Sequence, residues 1–260
     1  MVCEPLTQRY ERILPPKAEH LFYCFRIYGC YLADGGDAAV GGMPNFRVVC
    51  GMYRNWRESR VGVFTAGGAW SWRDSTDDPL VPCFYGLSRI GRAGGSWYFR
   101  KGKTMTVFDG STAEFSSSSF TLPAIDRVGG FDPVASGHGL YVTEGRDGKP
   151  RMLTMVDGIL TVFVMRPGGG GELVQWVLEK RIWLLEVTRG LPEVNVLRRG
   201  VGFVLLLHRI GTEAGARRYT FALDLETAEA ERVQEHEDTP RIGFPCELPW
   251  PPTLLACLQS

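Results

Sequence analysis

The chain has 260 residues, with 29 Lys+Arg against 29 Asp+Glu, 44% hydrophobic and 22% charged residues. That balance suits a globular protein with a buried core, and a net charge of zero leaves no global field to attract nucleic acid or anionic lipid. Thirty-two Gly, 16 Pro and 12% aromatic residues point to a turn-rich, all-β chain. They exclude a helical bundle, and the glycines have no collagen-like period.

Glu4, Arg9, Glu11 and Arg12 interrupt any apolar leader in the first dozen residues, so a secretory signal is not expected. The longest apolar runs, 159–165 and 201–207, have the length of a buried strand, whereas a membrane helix needs about 20 residues. A reducing compartment, cytoplasm or nucleus, is the expected location. Seven cysteines in irregular spacing, with no CxxC, agree with it. His20, Cys24 and Cys30 share even parity, but Cys24 and Cys30 on one straight strand would stand roughly 20 Å apart. The expectation is buried structural thiols rather than a metal site.

Short apolar or alternating runs bounded by Gly, Pro, Asp and Ser read as strands. In chain order they are 21–28, 46–53, 60–66, 70–73, 96–100, 105–109, 114–117, 139–144, 152–156, 159–165, 173–178, 182–185, 201–208, 218–224 and 232–234. Helix fragments are conceivable at 80–90, 190–199 and 225–232, none with clear caps. Residues 34–43 and 167–171 read as flexible loops. The Asp-Gly pairs at 147–148 and 157–158 read as hairpin turns. No shift in composition marks a domain boundary, so one domain of many short strands is expected.

A repeated segment is the most informative feature. Residues 2–10 (VCEPLTQRY), 107–115 (VFDGSTAEF) and 222–229 (ALDLETAE) each end a strand on a hydrophobic pair, open a turn with an acid and place Thr three residues later. A weaker copy lies at 63–70. Asp in such a turn can accept bonds from backbone N–H groups two residues on. The steps Phe64 to Phe108, Phe108 to Phe163 and Phe163 to Leu223 are 44, 55 and 60 residues, against about 40–50 residues for a four-stranded propeller blade. The expected fold is an all-β, propeller-like array of antiparallel blades, incomplete at the N-terminus. A generic sandwich is the alternative.

Several segments then show a resemblance. Val2–Tyr10 followed by Leu14-Pro15-Pro16, Phe46–Cys50 with Val61–Phe64 and Trp70, and Thr106–Asp109 with Phe120–Pro123 are three of them. Leu173–Leu178 with Trp183, and Glu247–Leu254 (ELPWPPTL), complete the series. In this order the chain resembles the F-box-associated, propeller-like domains of plant F-box proteins, the grass-type set in particular. The resemblance implies a non-enzymatic, protein-binding domain that recognises the substrate of an SCF-type ubiquitin ligase. The family's F-box, a Leu/Pro-rich helical segment that docks on a Skp-type adaptor, does not precede Met1. The chain is therefore expected to be a truncated or F-box-less copy, with the adaptor as partner only if an F-box lies upstream. A degenerate paralogue without ligase function and a small-molecule-binding propeller are the alternatives.

Catalytic patterns are weak. Ser136, His138 and Asp132 can be drawn as a triad, but no GxSxG elbow supports it. His208 reads as a structural residue at a strand end. The run 168–171 lacks the Lys-Ser/Thr of a phosphate loop. No catalytic residue, metal or cofactor is assigned. The 29 basic residues comprise 24 Arg and 5 Lys. Arg54, Trp56, Arg57, Trp72 and Arg73 form the one candidate protein-binding cluster, because Arg and Trp are enriched at interface hot spots.

Overall fold

The computed structural model describes residues 2–4, 9–11, 25–34, 46–55, 58–65, 70–74, 81–102, 104–112, 114–119, 139–167, 174–191, 194–210 and 217–236. Strands dominate these residues, with turns, irregular connections and a single helical turn between them. The chain divides into two compact units, Met1–His138 and Gly139–Ser260.

In the first unit, β1 (Val2–Glu4) and β2 (Arg9–Glu11) form a hairpin. β3 (Arg26–Asp34), β4 (Phe46–Tyr53), β5 (Ser59–Thr65) and β6 (Trp70–Asp74) follow as an antiparallel meander. A second meander contains β7 (Ser88–Ala93), β8 (Ser96–Lys101), β9 (Thr104–Asp109) and β10 (Glu114–Ser119). Alternation along the strands sends one side chain in two into a shared core. Tyr31, Val49 and Val61 from the first meander meet Trp97, Phe99, Phe108 and Phe115 from the second, with Phe84 between. The core is aromatic: Phe108 and Phe115 have ring centroids 4.7 Å apart, and Tyr28 stacks on Phe84 at 5.2 Å. Each fully buried phenylalanine contributes about 1.5–3 kcal/mol by leaving water.

The second unit repeats the plan. β11 (Leu140–Glu144), β12 (Pro150–Val156), β13 (Ile159–Pro167) and β14 (Val174–Trp183) form one meander. The helical turn α1 (Leu184–Val187) leads on to β15 (Val194–Gly200), β16 (Phe203–Ile210), β17 (Arg217–Asp224) and β18 (Ala230–His236). Leu153, Leu160, Val162, Leu184, Val204, Leu206, Phe221 and Leu223 make an aliphatic core.

The acid-led turns fold as the repeat suggests. Asp109 Oδ1 accepts bonds from the backbone N–H groups of Ser111 (2.7 Å) and Thr112 (3.1 Å), and Asp224 Oδ1 from those of Glu226 (2.7 Å) and Thr227 (3.1 Å). The hairpin registers agree: Glu4 faces Arg9 and Asp109 faces Glu114, while the Asp224 N–H donates to the Glu229 carbonyl. Each acid therefore sits five residues from its cross-strand partner. Asp157 and Gly158 both have positive φ, 49° and 74°, the geometry of a two-residue type I′ turn. Asp147-Gly148 is different. Gly145 and Lys149 close a three-residue loop with Gly148 at φ 74°, a type I turn followed by a left-handed residue.

Three helix readings are corrected. Where 80–90 was expected to be helical, the described part runs through an irregular segment at 81–87 into strand β7, because Pro82 lacks an N–H and Gly91 weakens a helix. Residues 194–200 form β15 instead of a helix: Gly190 (φ 86°) ends the preceding turn, and β-branched Val194 and Val196 pair with β16. At 225–232 the Asp224 side chain takes the Glu226 and Thr227 N–H groups for a turn, and residues from Ala230 on join β18. Other boundaries move. The strand expected at 21–28 runs from Arg26 to Asp34, and the described part of 173–178, residues 174–178, joins 182–183 in the single strand β14. Leu184 and Leu185, expected to continue that strand, instead start α1, held by the Thr188 hydroxyl donating to the Leu184 carbonyl (2.6 Å). Val201 and Gly202 form a turn ahead of β16.

Candidate protein-binding face

The register of the first meander places Cys30, Cys50, Gly62 and Trp72 in one row across four strands. The rows on either side bring Phe64 opposite Trp70, and Ile27, Met52, Arg60 and Asp74 into line. These side chains share the face directed away from the aromatic core, because the intervening residues Tyr31, Val49, Val61 and Val63 point into that core. The irregularity between Ile27 and Gly29 lets Tyr28 turn inward, donating its hydroxyl to the Leu87 carbonyl at 2.8 Å, while Ile27 stays outward and 59% exposed.

On this face Trp70 and Trp72 stack with centroids 5.5 Å apart and planes 15° from parallel, and Phe64 lies 5.6 Å from Trp70. Both tryptophans are half-buried. Gly62 makes room for them: a Cβ there would fall 2.6 Å from Trp72 Cζ3 and 3.0 Å from Trp70 Cε3. The Arg60–Asp74 ion pair borders the aromatic group, and the Arg60 guanidinium lies 5.0 Å from the Phe25 ring centroid. An aromatic stack beside a charged pair has the composition of an interface centre with a polar rim. Burial pushes the Tyr28 hydroxyl up to about 12, with Arg89 opposing, so it is a neutral donor rather than a base.

Of the residues expected here, Trp72 lies on this face. Arg73, one residue on, points to the other side of the strand. Arg54 is exposed in the β4–β5 turn, where it pairs with Glu58 at 3.5 Å. Trp56 and Arg57 lie outside the described residues. Phe64, Trp70 and Ile27 were not among the expected residues, although the two-residue spacing of Trp-Ser-Trp was a visible sign that both rings share a side.

Cys50 is buried. Cys30 corrects the buried-thiol reading: it is exposed, with its sulfur 3.1 Å from that of Cys50. Parity along one strand could weigh only its own neighbours, whereas the thiol beside Cys30 comes from the antiparallel strand. His20 and Cys24 lie outside the described residues, as do Asp132, Ser136, His138, residues 168–171 and 247–254. Among the described residues no three His, Cys, Asp or Glu side chains converge to hold a metal. No described helix is long and apolar enough to cross a membrane. His208 is buried and stacked beside Tyr219, 6.2 Å between centroids.

No known family model matches the chain, and no curated protein matches it.

Proposed function

We propose that this chain is a protein-interaction domain whose contact surface is the Ile27–Phe64–Trp70–Trp72 face, bounded by Arg60 and Asp74. The observation that carries the reading is the stacked Trp70–Trp72 pair, half-buried at an edge strand. Large rigid aromatic side chains lose little entropy on binding and dominate interface energetics. The scaffold is read as a propeller-like array of four-stranded blades. Its middle strands support this, since Trp97–Arg100, Arg151–Thr154 and Leu160–Phe163 are buried on both faces. A blade between neighbours has this pattern, whereas a two-layer sandwich keeps one wet face.

The sequence resemblance gives the partner class: a protein substrate recognised on behalf of an SCF-type ubiquitin ligase. Two experiments separate the two parts of this reading. Purified chain carrying Trp72→Ala should lose at least tenfold in affinity for a partner cross-linked to the wild-type chain in cells; unchanged affinity removes the face from the account. Mapping the 5′ end of the native transcript tests the ligase part. A frame running upstream into a Leu/Pro-rich helical segment supports adaptor docking. A frame that starts at Met1 removes ligase assembly and leaves recognition standing.

A further inference from the structure

Cys30 on β3 and Cys50 on β4 face each other directly in the antiparallel register, and their sulfurs are 3.1 Å apart. Directly opposed residues have Cα atoms about 4.5–5.5 Å apart, inside the range of about 4.4–6.8 Å that a disulfide spans. The two thiols differ in access: Cys30 is exposed and Cys50 is 6% exposed. An attacking thiol open to solvent, backed by a sheltered second thiol in contact with it, is the arrangement of a sensing and resolving pair. We propose that Cys30 and Cys50 form a reversible disulfide in response to hydroperoxides, with Cys30 oxidised first and Cys50 resolving it.

The chemistry balances with a hydroperoxide as the oxidant. The Cys30 thiolate attacks the peroxide oxygen; an S–O bond forms, the O–O bond breaks, and an alcohol or water departs after taking a proton. The Cys50 sulfur then attacks the Cys30 sulfenic acid, forming the S–S bond, and the hydroxyl leaves as water with the Cys50 proton. Two thiols lose two electrons and two protons, and the peroxide is reduced by the same amount. A dithiol reductant reverses the change by exchange. The hydrogen bond with Cys50 pushes the Cys30 thiol down to about 7, against an opposing effect of burial, which supplies thiolate at neutral pH. The same contact pushes Cys50 up, so it keeps its proton until it resolves. This inference stands apart from the binding reading and needs no partner protein.

Trypsin would release Cys30 in peptide 27–47 and Cys50 in peptide 48–54, each with a single cysteine. The full chain is treated with equimolar hydrogen peroxide, blocked with N-ethylmaleimide and digested without reductant. The expected product is the 27–47/48–54 pair joined with loss of two hydrogens, released again by dithiothreitol. In Cys50→Ala, dimedone should label Cys30 after peroxide, whereas wild type should gain the disulfide instead. Maleimide on both peptides after oxidation, a link from either to another cysteine, or Cys30 advancing to sulfinic acid in wild type would each overturn the proposal. If Cys50→Ala fails to melt cooperatively, the wild-type peptide map decides alone.

Discussion

Trp72 packs over Gly62, directly opposite it on the neighbouring strand, so closely that a methyl group at position 62 would fall 2.6 Å from the indole. Gly62→Ala should therefore push Trp72 off Trp70. The expected cost is about 1–2 kcal/mol, in the range of small-to-large changes at a packed site, with loss of the near-UV circular dichroism of the stacked pair. Trp72 makes the two shortest contacts and Trp70 a third at 3.0 Å, so most of the penalty should vanish in the Gly62→Ala/Trp72→Ala double variant, where Trp70 is free to give way. A cost that persists without Trp72 would place the crowding elsewhere.

Asp224 holds its turn through two backbone N–H groups, and its second oxygen pairs with Arg146. Burial would raise its pKa, but the Thr227 and Glu226 N–H groups and the Arg146 charge bring it below the ordinary value. A carboxyl depressed on folding stabilises above its unfolded pKa, near 3.9, and the contribution is lost as pH falls through the folded value. Asp224→Ala should cost about 1–2 kcal/mol at pH 7, and Asp224→Asn less, because an amide oxygen still accepts. Urea melts should show the wild-type advantage over Asp224→Asn narrowing below about pH 4.

In the second unit Arg151 is clamped by two carboxylates. Its Nη1 and Nη2 donate to Asp147 at 3.0 and 3.2 Å, while Nε and Nη2 donate to Glu179 at 2.7 and 3.2 Å. The arginine is 9% exposed, yet both carboxylates reach water. Arg151→Met should cost about 2–3 kcal/mol, short of the upper range for a broken buried pair because the acids left behind stay solvated. Arg151→Lys should not rescue, since an ammonium cannot serve two planar forks. Thermal melts of both variants check this, and full rescue by lysine would show that charge alone matters.

Alkylation of Cys30 should rise with pH through a midpoint at about 7. Cys50 is the titratable group hydrogen-bonded to it. Removing that partner in Cys50→Ala should move the midpoint up towards the ordinary thiol value of about 8.5. A midpoint that stays near 7 would mean that Cys50 does not stabilise the thiolate.

Strand-and-turn chemistry was legible wherever it was local. The acid-to-Thr spacing marked the Asp109 and Asp224 turns because the bonds run only two or three residues along the chain. The strand at 46–53 was visible from its apolar run. The helix fragments failed because stretches such as 88–93 have little alternation of their own and become strands through cross-strand partners. The site was half visible for the same reason. Trp-Ser-Trp shows which rings share a side, but that Gly62 lies beneath them and Cys50 beside Cys30 depends on register, which is fixed between segments rather than within them.

The binding claim is tested most directly by affinity, with a purified partner first identified by cross-linking to the full wild-type chain in cells. Wild type, Trp72→Ala and a control at exposed Glu231 in the second unit, Glu231→Ala, are compared by calorimetry. The expected result is a loss of about 2 kcal/mol, roughly 30-fold, for Trp72→Ala and none for the control. Equal affinity for all three folded chains would contradict the claim that this protein binds its partner through the Trp70–Trp72 face.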